Sequence, residues 1–168
     1  VTIKQASDCS DGSEFTSANT GTADGVCTPC GVNEFSVGGA ACQAHSTCPL
    51  GEGKTSDGTA TVDTVCTACT GTTFSDVDDK SACQEHSTCP SGEGKTSDGT
   101  SSADTQCATC TGTTFSAVDD KSACQEHGTC PVGEGKTVDG TASTDTQCAT
   151  CTGTTFSAAD DKAACQEH

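Results

Sequence analysis

The chain reads as a small disulfide-rich protein of tandem cysteine-rich modules, stacked into an elongated rod with short strands and turns. Three observations predict this class: sixteen cysteines in 168 residues, a cysteine spacing that repeats, and almost no large apolar residue from which to build a core. From Cys48 the gaps run 18, 3, 14 and 6 residues and begin again at Cys89 and at Cys130, a period of 41 residues, with an earlier and slightly shorter copy opened by Cys9. The sequence repeats in step. GEGKTSDGT at Gly51 returns at Gly92 and, as GEGKTVDGT, at Gly133, while TGTTFS recurs at Thr70, Thr111 and Thr152. Self-similarity at a fixed period marks an array of small units, each read by itself.

Composition explains why each unit needs its cysteines. Trp, Tyr and Met are absent and the aromatics are Phe15, Phe35, Phe74, Phe115 and Phe156, so each unit owns a single aromatic side chain. Domains of roughly 40 residues usually need disulfides or metals to offset chain entropy. Cysteine at this density is the mark of a disulfide scaffold, and disulfides persist in oxidising compartments. A secreted or cell-exterior location is therefore expected. No apolar run approaches the roughly 20 residues that span a membrane. VTIKQASD at the start lacks the basic and apolar parts of a signal peptide, and the repeat breaks off after Gln166-Glu167-His168, so a longer array is expected. A net charge of −17 with seven Lys and no Arg argues against nucleic acid, whose phosphates require clustered cations. The charge is expected to keep an exposed molecule soluble.

The period divides the chain into a partial N-terminal module at 1–29, repeats at 30–68, 69–109 and 110–150, and a partial C-terminal module at 151–168. Asp57-Gly58, Asp98-Gly99 and Asp139-Gly140 predict tight turns, because both residue types tolerate positive φ. The stretch from Ser75 to Cys83 starts with a capping serine and acids, which predicts one turn of helix there and in its counterparts. The remainder is expected to be irregular or paired in small hairpins.

Several motifs bear on chemistry. Cys-x2-Cys followed by Cys-x2-His has zinc-ligand spacing in a reducing compartment, but the extracellular composition argues for bonded cysteines and no metal. His45, His86, His127 and His168 are then polar packing residues that hold the joint between modules by a hydrogen bond. Gly94-Lys95-Thr96 and its copies lack the earlier glycine of a phosphate loop, since that position is Cys48, Cys89 or Cys130; Glu and Lys there read as a solvated turn. Asp76, Asp78, Asp79, Asp119, Asp120, Asp160 and Asp161 can offer oxygens to calcium, yet without EF-hand spacing, so helix capping or solvation is the expected role and no cofactor is assigned. No serine or cysteine stands in a credible triad. The chain is not expected to be an enzyme.

Written out, the pattern is Cys-x2-Cys-x-Gly-x-x-Phe-Ser, then Cys-x2-His-x2-Cys, then Gly-Thr-x3-Asp-Thr-x-Cys. It is carried by Cys66, Cys69, Gly71, Phe74, Ser75, Cys83, His86, Cys89, Gly99, Thr100, Asp104, Thr105 and Cys107. This pattern resembles the cysteine-rich repeats of the tumour necrosis factor receptor family. The resemblance implies two small modules per repeat and the pairs Cys9–Cys27, Cys30–Cys42, Cys48–Cys66, Cys69–Cys83, Cys89–Cys107, Cys110–Cys124, Cys130–Cys148 and Cys151–Cys165. Many family repeats carry six cysteines, whereas this unit has four, with His86 where one of the missing pair would stand. A Cys66–Cys69 link would close a tiny strained ring and leave the longer loops unstapled.

Function follows from what such a rod can do. The last three units are nearly interchangeable and lack the aromatic and arginine anchors of recognition hot spots. A structural repeat protein of an extracellular filament, appendage or surface coat is therefore expected, with copies of itself as head-to-tail partners. The alternative, which the family resemblance suggests, is a ligand-binding receptor or decoy ectodomain. With 31 Thr and 18 Ser, and no Asn-x-Ser/Thr sequon at Asn19 or Asn33, any glycan is O-linked. Its expected sites are Thr70, Thr72, Thr73, Thr111, Thr113, Thr114, Thr152, Thr154 and Thr155.

Overall fold

The computed structural model describes residues 4–17 and 25–168; Asn19 and part of the segment 1–29 lie outside the described residues. Two kinds of antiparallel hairpin alternate, each its own two-stranded sheet. The longer kind pairs Ser13–Thr16 with Val26–Pro29, Glu52–Ser56 with Val65–Ala68, Glu93–Ser97 with Gln106–Thr109, and Glu134–Val138 with Gln147–Thr150. The shorter kind pairs Glu34–Phe35 with Gln43–Ala44, Thr73–Phe74 with Gln84–Glu85, Thr114–Phe115 with Gln125–Glu126, and Thr155–Phe156 with Gln166–Glu167.

An isolated two-stranded hairpin is marginal in water, and here each is cross-linked. Cys9–Cys27, Cys48–Cys66, Cys89–Cys107 and Cys130–Cys148 close the long-hairpin modules over 18 residues. Cys30–Cys42 closes the first short-hairpin module over 12 residues, and Cys69–Cys83, Cys110–Cys124 and Cys151–Cys165 close the others over 14. Sulfur takes the place of a core. Among the described residues Cys9, Cys48, Cys69, Cys89, Cys110 and Cys130 are buried, joined by Phe74, while nine valines and Leu50 stay exposed.

Contacts divide the chain into two compact units, Val1–Glu85 with Thr100–Ala103, and His86–Gly99 with Asp104–His168. Within the first, the module closed by Cys69–Cys83 lies on the long hairpin before it. The Cys48 amide donates to Asp79 O at 2.6 Å and the Lys54 amide to Ser81 O at 2.8 Å. Between them Gly53 lies so close that a Cβ would stand 2.2 Å from the Cys83 nitrogen. The second unit repeats this, with Cys89 donating to Asp120 and Lys95 to Ser122 at the same distances.

Two local expectations are corrected. No helical turn forms between Ser75 and Cys83; among the described residues the one helical element is a 3-10 turn at Ala6–Asp8. The backbone of Asp79 is committed to Cys48, and its carboxylate accepts the Ser81 amide at 2.7 Å and hydroxyl at 2.8 Å, a local bond that competes with helix. The Asp-Gly pairs do not make the hairpin turns either. Those turns lie two residues on, between the bridged pairs Thr59 and Val62, Thr100 and Ala103, and Thr141 and Thr144. Likewise the Glu and Lys of GEGK lie in strand rather than solvated turn, with Lys54, Lys95 and Lys136 respectively 2.6 Å from Asp57, Asp98 and Asp139.

Candidate functional site

The joints between short-hairpin modules and the long hairpins on either side gather the polar residues that the repeat holds constant. Ser36 is buried; its amide donates to Ala60 O at 3.0 Å while its carbonyl accepts the Gly12 amide at 2.8 Å. One residue thus ties the modules before and after it. Ser116 does the same between Gly92 and Ala142, and Ser75 between Gly51 and Ser101.

Two joints are closed by a histidine. The His45 ring stacks on Phe35 with centroids 5.6 Å apart and planes 10° from parallel, and His127 stacks on Phe115 at 5.2 Å and 8°. Both side chains are under a tenth exposed. Under the rings lie Gly58 and Gly140, where a Cβ would meet the imidazole at 2.1 and 2.2 Å. This is the reason for glycine at the Asp-Gly pairs. Nδ1 of His45 stands 3.5 Å from Asp63 Oδ1 and that of His127 3.4 Å from Asp145 Oδ1, longer than a direct hydrogen bond. The expectation that the histidine holds the joint by a hydrogen bond is therefore corrected at these two sites: it fills the joint by stacking. The hydrogen bonds come from the aspartate. Asp63 accepts the Ser46 amide at 2.8 Å, the Ser46 hydroxyl at 2.6 Å and the Thr64 amide at 2.7 Å. These bonds, the Ser46 hydroxyl first, hold its carboxyl at about 2 against an ordinary 3.8. At Asp104 burial pushes the carboxyl up but the Ser87 hydroxyl and amide bring it down, and at Asp145 the Gly128 amide lowers it.

The other predicted residues are not brought together. All described cysteines are in disulfides, and no group of three or more His, Cys, Asp or Glu among the described residues is placed to hold a metal ion. The aspartates considered for calcium are dispersed on separate donors: Asp78 on Thr47, Asp119 on the Ser91 amide, Asp120 on Ser122, Asp160 on Thr129 and Asp161 on the Ala163 amide. Among the threonines, the hydroxyls of Thr73, Thr114 and Thr155 turn inward to the carbonyls of Thr70, Thr111 and Thr152 at 2.9–3.0 Å. Thr70, Thr72, Thr111, Thr113, Thr152 and Thr154 stand exposed on the turns.

One concave feature lies at the first joint. Residues 30–34 and 58–60 face each other across His45 and enclose a groove of about 330 Å³. The repeat pattern does not single it out, because that pattern describes what the units share. The signal was present: GVNE at Gly31 stands where every later copy has TGTT.

Residues 30–66 and 69–107 match the family model of the TNFR/NGFR cysteine-rich region. The eight disulfides in tandem modules fit a TNFR-like cysteine-rich repeat array. Among solved structures, it aligns with a chain of the human RANKL/OPG complex at 23% identity and a TM-score of 0.42, over 86% of its own length and 89% of that chain. A chain of a mouse RANKL-OPG complex aligns at 22% identity and a TM-score of 0.33, over 70% and 88%. No curated protein matches the sequence. Among the described residues no helix is long and apolar enough to cross a membrane.

Proposed function

We propose that this array of TNFR-like cysteine-rich repeats is an extracellular protein-binding ectodomain of the receptor or decoy kind, and that it acts by binding rather than catalysis. The observation that carries the reading is the match of two consecutive stretches, 30–66 and 69–107, to the cysteine-rich region of the TNFR/NGFR receptors. Short stapled hairpins with small rigid turns suit presentation of side chains to a partner, since little conformational entropy remains to be lost on binding. The filament or coat role, with head-to-tail self-association, rested on the near identity of the last three units and gains no support from the family match. Glycosylation remains a proposal for the six outward threonines, and an intact native mass equal to the bare polypeptide would remove it.

Surface plasmon resonance of the oxidised chain against a panel of soluble tumour-necrosis-factor-type ligands, RANKL among them, tests the reading. Saturable binding to at least one member, lost on reduction of the disulfides, is expected. No binding across the panel, together with sedimentation showing concentration-dependent polymers, would replace it with the filament.

A further inference from the structure

We propose that the groove at the first joint is the ligand-reading surface of the array, and that its occupant is a protein loop presenting an aliphatic side chain beside a cationic one. The inference deepens the receptor-type reading and rests on it.

Four observations converge on the groove. First, it is a concavity of about 330 Å³, at the small end of ligand clefts, and open enough for one or two side chains of a loop. Second, its wall carries Val32, which at 92% exposure is the most exposed of the large apolar residues among those described. The copies of this turn have glycine at that position, Gly71, Gly112 and Gly153. Third, the backbone is built differently. In residues 31–34, closed by the Glu34 amide on Gly31 O, the left-handed residue is Asn33 at the third position (φ 70°), the pattern of a type II turn. In the copies it is the glycine at the second position (φ 64–69°), the type II′ pattern. Asn33 is the single non-glycine with positive φ among the described residues. The first turn therefore gives up the glycine and points a valine outward, which folding alone does not require, since three copies close the same turn without it.

The fourth observation is charge. Glu34 replaces Thr73 and its counterparts; one carboxylate oxygen accepts the Gly31 amide at 3.0 Å and the other is left for a partner. No Lys or Arg lies between Lys4 and Lys54, so no cation of this segment competes for Glu34. The whole chain carries −17. An apolar contact rimmed by a carboxylate, on a chain of that sign, selects a basic loop and steers its approach.

The test is a 1H–15N titration of the oxidised 168-residue chain with a head-to-tail cyclic hexapeptide that displays Leu-Arg in its turn. Shifts are expected at residues 30–34, His45 and 58–60, and none at the corresponding 110–114, His127 and 140–142, which serve as the control inside the same molecule. Replacing Gly31-Val32-Asn33-Glu34 by Thr-Gly-Thr-Thr imposes a turn that the chain already folds three times. It is expected to weaken binding at least tenfold while the disulfide map stays unchanged. A Leu-Glu peptide is expected to leave the spectrum unperturbed. Shifts spread equally over all joints, no shifts at all, or equal response to the Leu-Glu peptide would overturn the inference. Applied to a ligand found in the panel above, the same replacement separates the two proposals. Undiminished panel binding would refute the groove and leave the receptor reading standing, whereas an empty panel would refute the reading whatever the peptide does.

Discussion

At the scale of single residues, the joints are governed by what fits under an imidazole. A Cβ at Gly140 would overlap the His127 ring at 2.2 Å, and the ring is pinned by Phe115, so Gly140→Ala should destabilise the oxidised chain by about 1–3 kcal/mol. The urea midpoint under non-reducing conditions reads this. Gly128→Ser should do the reverse. Ser46 and Ser87 at the corresponding positions donate their hydroxyls to Asp63 and Asp104 at 2.6 Å, whereas Asp145 receives only the Gly128 amide on that side. A gain of about 0.5–1.5 kcal/mol is expected, seen as a raised midpoint. The aspartates also set the acid limit. Asp63 is held at about 2 when folded and lies near 3.8 when unfolded, so its contribution is fully present above the unfolded value and is lost as the pH falls towards 2. Urea midpoints at pH 6, 3 and 2 should therefore fall steeply below pH 4 for the native chain and less steeply for Asp63→Asn.

At the scale of the element, each hairpin is too short to stand without its cross-link. Cys69–Cys83 closes 14 residues around the strands Thr73–Phe74 and Gln84–Glu85. Replacing both cysteines by serine should cost about 3 kcal/mol through the freed denatured chain. In an array of units that touch mainly their neighbours, that loss stays local. Hydrogen exchange should speed up in 69–85 and the long hairpin beneath it, and stay unchanged in Glu134–Thr150. Uniform acceleration along the whole chain would show that the modules do not fold independently. The Asp-Gly pairs illustrate why elements were harder to read than the framework: tight turns and close ring packing both select glycine, and sequence cannot tell which is acting at Gly58.

At the scale of the whole molecule, disulfides stand in for the apolar core among the described residues. The buried hydrophobic residues among those described are six cysteines and Phe74. Full reduction should abolish the strand signal in far-ultraviolet circular dichroism and, with it, any ligand binding. A reduced chain that kept its hydrogen-exchange protection would overturn the disulfide-scaffold reading.

The disulfide-rich tandem class was legible in the chain itself, because a period of cysteines and the lack of aromatic residues leave few other ways to offset conformational entropy. The resemblance to tumour necrosis factor receptor repeats was legible too, in the fixed offsets of Cys, Gly, Phe-Ser, His and Asp. What the fold decided lies in contacts between residues far apart in the chain. His45 over Gly58, Asp63 under Ser46, and Val32 facing residues 58–60 across a groove are 12 or more residues apart. No local propensity encodes such pairs; they exist only once the stapled hairpins have been laid against one another.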